Sequence, residues 1–572
     1  MKQIFLSPAL NIKVSSSPEA ETLAIRQALA KHLRCCEHEL PSYKLYKRSI
    51  DARRELQIHV VLEIQEEKSG RFQRWIRRHL IKAAAAPPEW FDLLIQSSNF
   101  NSSVSDTSVR PVVVGMGPAG LFAALCLAKA GKRPILVERG RAVEDRIQDF
   151  DLLRTKAILD PNSNAQFGEG GAGTFSDGKL TCRKGDALIE LILKELVSHG
   201  APEDILYEHK PHIGSDLLPK ILRSIRHELL DLGASILFSH QLIALKTRDG
   251  QQNFAGEKNA SPFSLMTPKQ VKNKLEGILL HDLLRDQKVE LACEHLVLAI
   301  GHSSRDTVRQ IYKDGVCLEA KAFAMGFRIE HDQEWINQKQ YRDHACSRVL
   351  GSAPYSLTVH PEDRKKAVYS FCMCPGGEVI LASSEPNRLC VNGMSGRKRD
   401  KSNANAAILV TVDSNDYGDR LFSGLEFQER IEEKAYHLGG TQFCAPVQSA
   451  LDFVQGEITH GIQACVQPSY RPKVKEADLG QLYPTRMTKA LREGLILMDQ
   501  RMPGFLNERA LLTAAETRSS SPLRMTRDPK TRESLTLLGV YPAGEGAGYS
   551  GGIVSSAVDG LKSALALLNV IS

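Results

Sequence analysis

The chain of 572 residues predicts an α/β fold built on a parallel sheet. Three observations predict it. Val112-Val-Val-Gly115-Met-Gly117-Pro-Ala-Gly120 joins a short apolar strand to an apolar helix through a glycine turn, which offers backbone N–H groups and a helix N-terminus to a pyrophosphate. Pro134-Ile-Leu-Val-Glu138 supplies the next strand and completes one βαβ unit. Tyr541-Pro-Ala-Gly544-Glu545-Gly546-Ala-Gly548 repeats strand and glycine turn, with room for one helix before Ser572. That closing strand and helix must join a sheet begun far earlier in the chain. The split suits FAD, whose length spans from a pyrophosphate site to a distant flavin site.

Composition narrows the class. Hydrophobic content of 42% and charged content of 25% are those of a globular protein, and the length calls for two or three domains. A net charge of +7 is mild at this length and does not point to nucleic acid or membrane. Met1 to Pro8 carries too short an apolar run for an export signal. No run of about 18 apolar residues is present, so no membrane span is expected. The 12 cysteines show no framework of paired bridges, which favours reduced thiols and a cytoplasmic location. Neither CxxC nor HExxH occurs, and no metal is expected.

Residues 1–96 predict a small α+β domain of the βαββ, ferredoxin-like kind. Residues 9–14, 43–50 and 56–64 read as strands, with a helix opening at Pro18 and a second from about Arg71 to Ala86. The Ser/Asn-rich stretch 97–108 reads as a linker. Residues 109–311 predict the first part of a Rossmann-like FAD-binding domain. They comprise the βαβ unit, a long irregular region, helices near 186–198 and 216–232, and a β-meander from Ser235 to Ala292 interrupted by the polar insertion 251–269. The apolar strand Leu296 to Ile300, stopped by Gly301, returns the chain to the parallel sheet. Residues 312–480 then read as an inserted, β-rich α+β substrate domain, and 481–572 as the second part of the FAD-binding domain.

In the first glycine motif, Gly115 allows the tight turn, Gly117 lets the backbone approach the pyrophosphate, and Gly120 permits helix to pack on strand, with Pro118 and Ala119 opening the helix. Glu138 stands 18 residues after Gly120, where its carboxylate can accept both hydroxyls of an adenosine ribose, with Arg139 beside it. Gly168-Glu-Gly170-Gly171-Ala-Gly173 matches the same spacing but has no strand before it and no apolar helix after it. It reads either as a loop reaching over a cofactor, together with Lys179, or as a loop with no ligand. Gly546-Ala-Gly548-Tyr-Ser-Gly551 follows a strand and precedes a helix, yet no later strand supplies an acidic residue. No complete second unit for a nicotinamide cofactor is visible.

At these residues the chain resembles FAD-dependent oxidoreductases of the glutathione-reductase-like fold, and within them a family described as uncharacterised FAD-dependent dehydrogenases. The resemblance covers most of the chain. It rests on Lys47 to Arg53, Val114 to Gly120, Phe167 to Leu180, Ser370 to Gly377, Val391 to Ser395, Glu516-Thr-Arg518 and Tyr541 to Gly560. It implies non-covalent FAD, with hydride transfer on a substrate it does not name. Glu545 would bond a ribityl hydroxyl, Gly301 would pass near the cofactor, and Gly544, Gly551, Gly552 and Ile553 would bring the N-terminus of the last helix to the flavin.

Catalytic residues are hard to read because the flavin carries the electron chemistry. Cys372 and Cys374 fall on one face of a strand and are candidates for a flavin-facing thiol, although small buried core residues are the preferred reading. His302 is a candidate acid or base, or a loop and capping residue. Arg518, Arg524 and Arg527 read as anion binders or as a solvated loop. A small-molecule substrate and an electron donor or acceptor are the expected partners. The competing readings are an RNA-directed protein using Lys44, Lys47, Arg48, Arg74, Trp75, Arg77, Arg78 and Lys82, and a non-catalytic flavin scaffold. Without the stacking aromatics of an RNA-binding sheet, nucleic acid is disfavoured.

Overall fold

The computed structural model describes residues 3–14, 17–52, 56–96, 110–182, 185–248, 273–342, 349–361 and 366–571. The expected linker 97–108 and the polar insertion 251–269 lie outside them.

The central sheet has five parallel strands in the order Val540–Pro542, Leu296–Leu298, Val112–Val114, Ile135–Val137, Ser235–Leu237. The closing segment does return to the early strands, pairing Val540 with Leu296. Alternation along each strand divides two cores. Val113, Leu136, Val297 and Tyr541 face the helices Pro118–Lys129, Leu188–Ser198, Leu218–Asp231 and Ile553–Ile571. Val112, Val114, Val137, Leu296 and Leu298 face the antiparallel meander His240–Arg248, Asn273–Asp282, Gln287–Ala292. Residues 139–185, expected to be irregular, contain the helix Val143–Lys156. Its inward face includes Arg146 and Asp149 as well as Val143, Phe150 and Leu153, and these charges blur the apolar period.

The helix Ile553–Ile571 is long and apolar enough, by length and composition, to cross a membrane. Here it is a core helix, packed on Pro118–Lys129, with Asp559 in its interior bonded to Arg527 at 2.7 Å. The two helices touch backbone to backbone: a Cβ added at Gly560 would lie 1.9 Å from the Ala119 carbonyl oxygen. Gly560→Ala is therefore expected to cost about 1–3 kcal/mol by overpacking. Calorimetry would show the lowered midpoint, and an unchanged one would mean that the helices separate freely.

The inserted domain is a seven-stranded sheet in the order Thr358–Val359, Val368–Cys374, Asn403–Val412, Phe323–Asp332, Leu511–Glu516, Ala445–Ser449, Val474–Glu476. One face is a large apolar core around Met325, Phe327, Ile329 and Ile408, covered by the helices Ser423–Leu438 and Thr485–Arg501. The expected boundary at residue 480 is too early. Leu511–Glu516 pairs with both Phe323–Asp332 and Ala445–Ser449, so the insertion continues to residue 516. The chain enters and leaves through two adjacent segments, Leu318–Ala320 and Leu523–Met525, which pair antiparallel as a short ribbon.

The N-terminal βαββ unit is present and is extended by two further strands, Gln3–Leu6 and Lys82–Ala85. Gln3–Leu6 and Leu10–Lys13 both pair with Gln57–Ile64, Tyr43–Asp51 flanks the other side, and Lys82–Ala85 pairs with Gln3–Leu6, all antiparallel. The second helix was expected to reach Ala86 but stops at Arg77. The alanine-rich stretch after it favours helix by composition, and its pairing as an edge strand overrides that preference.

Candidate functional site

Three glycine segments distant in sequence converge at the ends of the parallel strands, where ligands of open α/β sheets bind. Gly115 has φ of +100°, and a Cβ there would lie 2.2 Å from the Ala299 oxygen. The segment Gly168–Gly173 crosses the first turn: Gly170 N donates to Met116 O at 2.8 Å, and a Cβ on Gly171 would lie 3.0 Å from Gly117 Cα. A Cβ on Gly173 would lie 3.3 Å from the side chain of Ile553, at the start of the last helix, and 3.9 Å from Pro118. On the other side, Gly544 packs on Ala119 and donates to Asp559 at 2.8 Å, and Gly546 rests on the carbonyl of Gly301. Gly551 and Gly552 are exposed at the N-terminus of Ile553–Ile571. Gly115, Gly117, Pro118, Ala119, Gly120, Gly170, Gly171, Gly173, Gly301, Gly544 and Ile553 thus form one cradle of backbone.

Glu138 is buried at the rim of this cradle. Its Oε1 accepts from Gly140 N and Gly168 N, both at 2.9 Å, and its Oε2 accepts from Met116 N at 2.8 Å. Oε1 is filled and Oε2 keeps one acceptor position. The carboxylate expected to take two ribose hydroxyls therefore has room for one and spends the rest tying the crossing loop to the first turn. Arg139 pairs with Asp306 and lies over the Phe167 ring, 4.7 Å from its centroid.

The residue that shapes the crossing loop is Arg146, which sequence reasoning did not find. Its guanidinium is fully buried and donates to the carbonyls of Asn164 at 2.9 Å, Ala165 at 3.1 Å, Gly168 at 3.3 Å, Glu169 at 2.6 Å and Gly171 at 2.8 Å, and to Thr174 Oγ1 at 2.9 Å. Burial lowers its pKa to about 10, so it stays charged at neutral pH. One side chain thus satisfies a loop whose secondary structure is the short 3-10 turn Gly171–Gly173. No pattern in the sequence marks it, because a lone arginine in a helix ordinarily faces water.

Glu545 and His302 meet over the Gly301–Gly546 contact, Glu545 Oε1 lying 3.3 Å from His302 Nδ1. His302 Nε2 is buried and has no hydrogen-bond partner among the described residues. A buried, unpaired ring nitrogen beside a partly exposed carboxylate fits a polar ligand atom.

Lys179, expected among the cofactor contacts, turns instead toward the inserted sheet. Its Nζ lies 3.8 Å from Cys372 Sγ, 3.8 Å from Cys374 Sγ and 3.3 Å from Asp177 Oδ2. Arg328 reaches the same point from Phe323–Asp332, two strands away across Asn403–Val412, donating to Cys374 Sγ at 3.3 Å and Cys372 O at 2.6 Å while pairing with Glu516 at 2.9 Å. Burial pushes Glu516 up to about 7, the Arg328 charge offsetting only part of the effect. Asp177 is held by Arg399 at 3.0 Å and by Ser395. The preferred reading of the cysteines as inert core does not describe this cluster: Cys374 is buried, but Cys372 is only half-buried, and both sulfurs sit against cations. Of the clustered residues, Asp177 and Glu516 fall inside the long motifs that carried the resemblance, and Arg328 has no signal.

The three arginines weighed as anion binders are all engaged. Arg518 is buried against Glu432 at 2.8 Å, Arg524 pairs with Glu319 at 2.9 Å, and Arg527 pairs with Asp559 and lies 3.6 Å from the Tyr549 ring centroid. In the N-terminal domain, Trp75 is a core residue whose Nε1 donates to Leu33 O at 3.1 Å. Arg48 pairs with Glu21 at 2.7 Å and with Glu208 of the nucleotide-binding half at 2.9 Å. Two of the groups assigned to RNA are thus used in packing and docking. Among the described residues one trio has metal-ligand chemistry, Glu195, His199 and Glu228, and the Lys129 ammonium, 3.1 Å from Glu195, supplies the positive charge there.

Residues 322–519 match a family described as FAD-dependent protein, C-terminal domain-like, and residues 8–66 match a domain of unknown function (DUF8436). The first match coincides with the inserted sheet. An uncharacterized protein of Clostridium beijerinckii is 39% identical over 557 residues, 96% of each chain. Similar solved structures include glycine oxidase from Bacillus cereus, with 11% identity, 81% of this chain and 96% of that one covered, and a TM-score of 0.31. Another is a geranylgeranyl bacteriochlorophyll reductase-like protein from Thermoplasma acidophilum, with 11% identity, coverage of 81% and 78%, and a TM-score of 0.33. The chain belongs to the same family as this Clostridium beijerinckii protein, its inserted sheet matches the C-terminal domain of FAD-dependent proteins, and FAD is its cofactor.

Proposed function

We propose that the protein oxidises or reduces a small molecule at a non-covalently held FAD, in the space between the glycine cradle and the inserted sheet. The reading takes residues 109–311 and the segment after the insertion as a glutathione-reductase-like FAD domain, 323–516 as the substrate domain, and 1–96 as a ferredoxin-like appendage, in a cytoplasmic enzyme. The observation that carries it is the meeting of three glycine segments at the ends of the parallel strands, with Lys179 leading from the middle segment to the inserted sheet. When bound, FAD supplies two-electron chemistry by hydride transfer. The cradle N–H groups and the N-terminus of Ile553–Ile571 stabilise negative charge on phosphate and ring. Glu138 orients a ribose hydroxyl, and Glu545 with His302 holds a ribityl or substrate hydroxyl. Glu516, whose proton is exchangeable near neutral pH, holds or releases a proton beside Arg328.

The test is the visible spectrum of the purified protein, expected to show a flavin band that is released on denaturation. Colourless protein that takes up no added FAD would sink the reading. In a second measurement, anaerobic mixing with NADH or NADPH is expected to bleach the flavin slowly or not at all. The described residues hold one complete dinucleotide βαβ unit with its acidic residue, and that unit serves FAD. Rapid, stoichiometric bleaching by either nucleotide would overturn this expectation.

A further inference from the structure

The strand Val368–Cys374 is irregular where it carries its cysteines. Its pairing with Asn403–Val412 shifts register between Phe371 and Cys374, and Cys372 has φ of +42°, a left-handed value that non-glycine residues adopt at a cost. The kink abandons ordinary strand alternation and brings the two sulfurs to one ammonium, Lys179 Nζ, at 3.8 Å each. Cys372 is half-buried and Cys374 is buried, the Cys374 sulfur accepting from Arg328 at 3.3 Å. The charged groups facing the pair are Lys179 and Asp177 from the crossing loop, Arg328 from Phe323–Asp332 and Glu516 from Leu511–Glu516.

Lys179 faces both sulfurs of this pair, and Arg328 donates to the Cys374 sulfur and to the Cys372 carbonyl oxygen. The Cys374 thiol, followed by the charges of Lys179 and Arg328, holds Cys372 well below the usual thiol range, and the same shared hydrogen bond holds Cys374 above it. Such an asymmetric pair has an attacking and a resolving member.

We propose that Cys372 and Cys374 form a redox-active dithiol that reduces a small disulfide, with Cys372 as nucleophile, Cys374 as resolving thiol and Lys179 as the residue that positions and stabilises the thiolate. The Cys372 thiolate attacks one sulfur of the substrate disulfide, forming a mixed disulfide and releasing the first thiolate. Cys374 gives up its proton and attacks Cys372 Sγ, breaking the mixed bond and releasing the second thiolate. Two electrons leave the protein, one Cys372–Cys374 bond forms, and the two released thiolates take up one proton from Cys374 and one from solvent. This exchange is balanced without the flavin, so it stands or falls separately from the reading above.

The experiment uses the full-length, flavin-containing protein, reduced and then freed of reductant. The tryptic segment 367–388 contains these two cysteines and no other. After exposure to dithiobis(nitrobenzoate), that segment is expected to be two hydrogens lighter in the wild type. In Cys374→Ser it should instead carry the mixed disulfide on Cys372. Iodoacetamide at pH 6 is expected to label Cys372 at least about tenfold faster than the exposed Cys36. Lys179→Met should remove most of that advantage, and Lys179→Arg should restore part of it. A wild-type segment that keeps both mixed disulfides or stays unmodified would overturn the proposal, as would labelling of Cys372 no faster than Cys36. Fast labelling unaffected by Lys179→Met would overturn the role of Lys179. A flavin spectrum that persists while exchange fails would leave FAD binding in place and reject only the dithiol.

Discussion

Arg146→Ala is expected to yield protein that loses FAD on purification and unfolds about 3–5 kcal/mol more easily than wild type. Five carbonyl oxygens and one hydroxyl of residues 164–174 lose a donor at once, the carbonyls of Gly168, Glu169 and Gly171 each keeping a second one. A buried acceptor left unsatisfied costs about 1–3 kcal/mol, and water entering the space recovers part of the sum. The same loop carries Gly168 N to Glu138 and Gly170 N to Met116, so its collapse opens the rim of the cradle. The ratio of flavin to protein absorbance and a urea midpoint measure the two effects together. Arg146→Lys, with one compact head in place of a fork, should recover only a fraction of either. A variant with full flavin content and an unshifted midpoint would show that the loop is held by something other than Arg146.

The second large effect is expected at Glu432. Its carboxylate, fully buried on the helix Ser423–Leu438, accepts from Arg305 and Arg518 at 2.8 Å each and from Thr517 Oγ1 at 2.7 Å. Arg305 comes from the helix after the Gly301 turn and Arg518 from the strap leaving the insertion, so one carboxylate joins both halves of the molecule. Glu432→Ala leaves two buried guanidinium groups with Glu385 as their remaining counter-charge. The expected loss is about 3–5 kcal/mol, read by calorimetry or denaturant. Burial alone would raise the Glu432 pKa, but the charges of Arg305 and Arg518 hold it below the ordinary carboxylate range. The unfolded chain therefore binds this proton more tightly than the folded one. Its stabilisation is complete above the unfolded value of about 4.3 and is lost as pH falls toward the depressed folded value. The acid limb of wild-type stability should be steeper than that of Glu432→Gln. Parallel limbs would mean that the carboxylate carries no such linkage.

These two residues also show what the sequence conveyed and what it withheld. The parallel sheet was legible because valine and leucine runs bounded by glycine are read locally, and the returning strand Val540–Pro542 was legible because the chain offers it no later partner. Glu138 stood at a spacing that geometry dictates. Arg146, Arg328 and Glu432 are charged residues in buried places, and composition assigns such residues to the surface. Their partners come from segments far away in the chain, so no local period marks them. The cysteines were read from strand alternation, which Cys372 breaks by adopting a left-handed φ. Lys179 was placed with the cofactor by its distance from the glycines, whereas its side chain spans to a different domain. Leu511–Glu516 was assigned to the wrong half for the same reason: pairing across the sheet, not proximity in sequence, decides membership.

The paired straps Leu318–Ala320 and Leu523–Met525 bear on how the molecule moves. A single tether is a swivel, whereas two strands held edge to edge by ladder bonds behave as a flat strip, stiff to torsion and compliant to flexing across its width. The ribbon therefore fixes the twist between the substrate half and the nucleotide half, while the Arg305–Glu432 pair holds them together away from it.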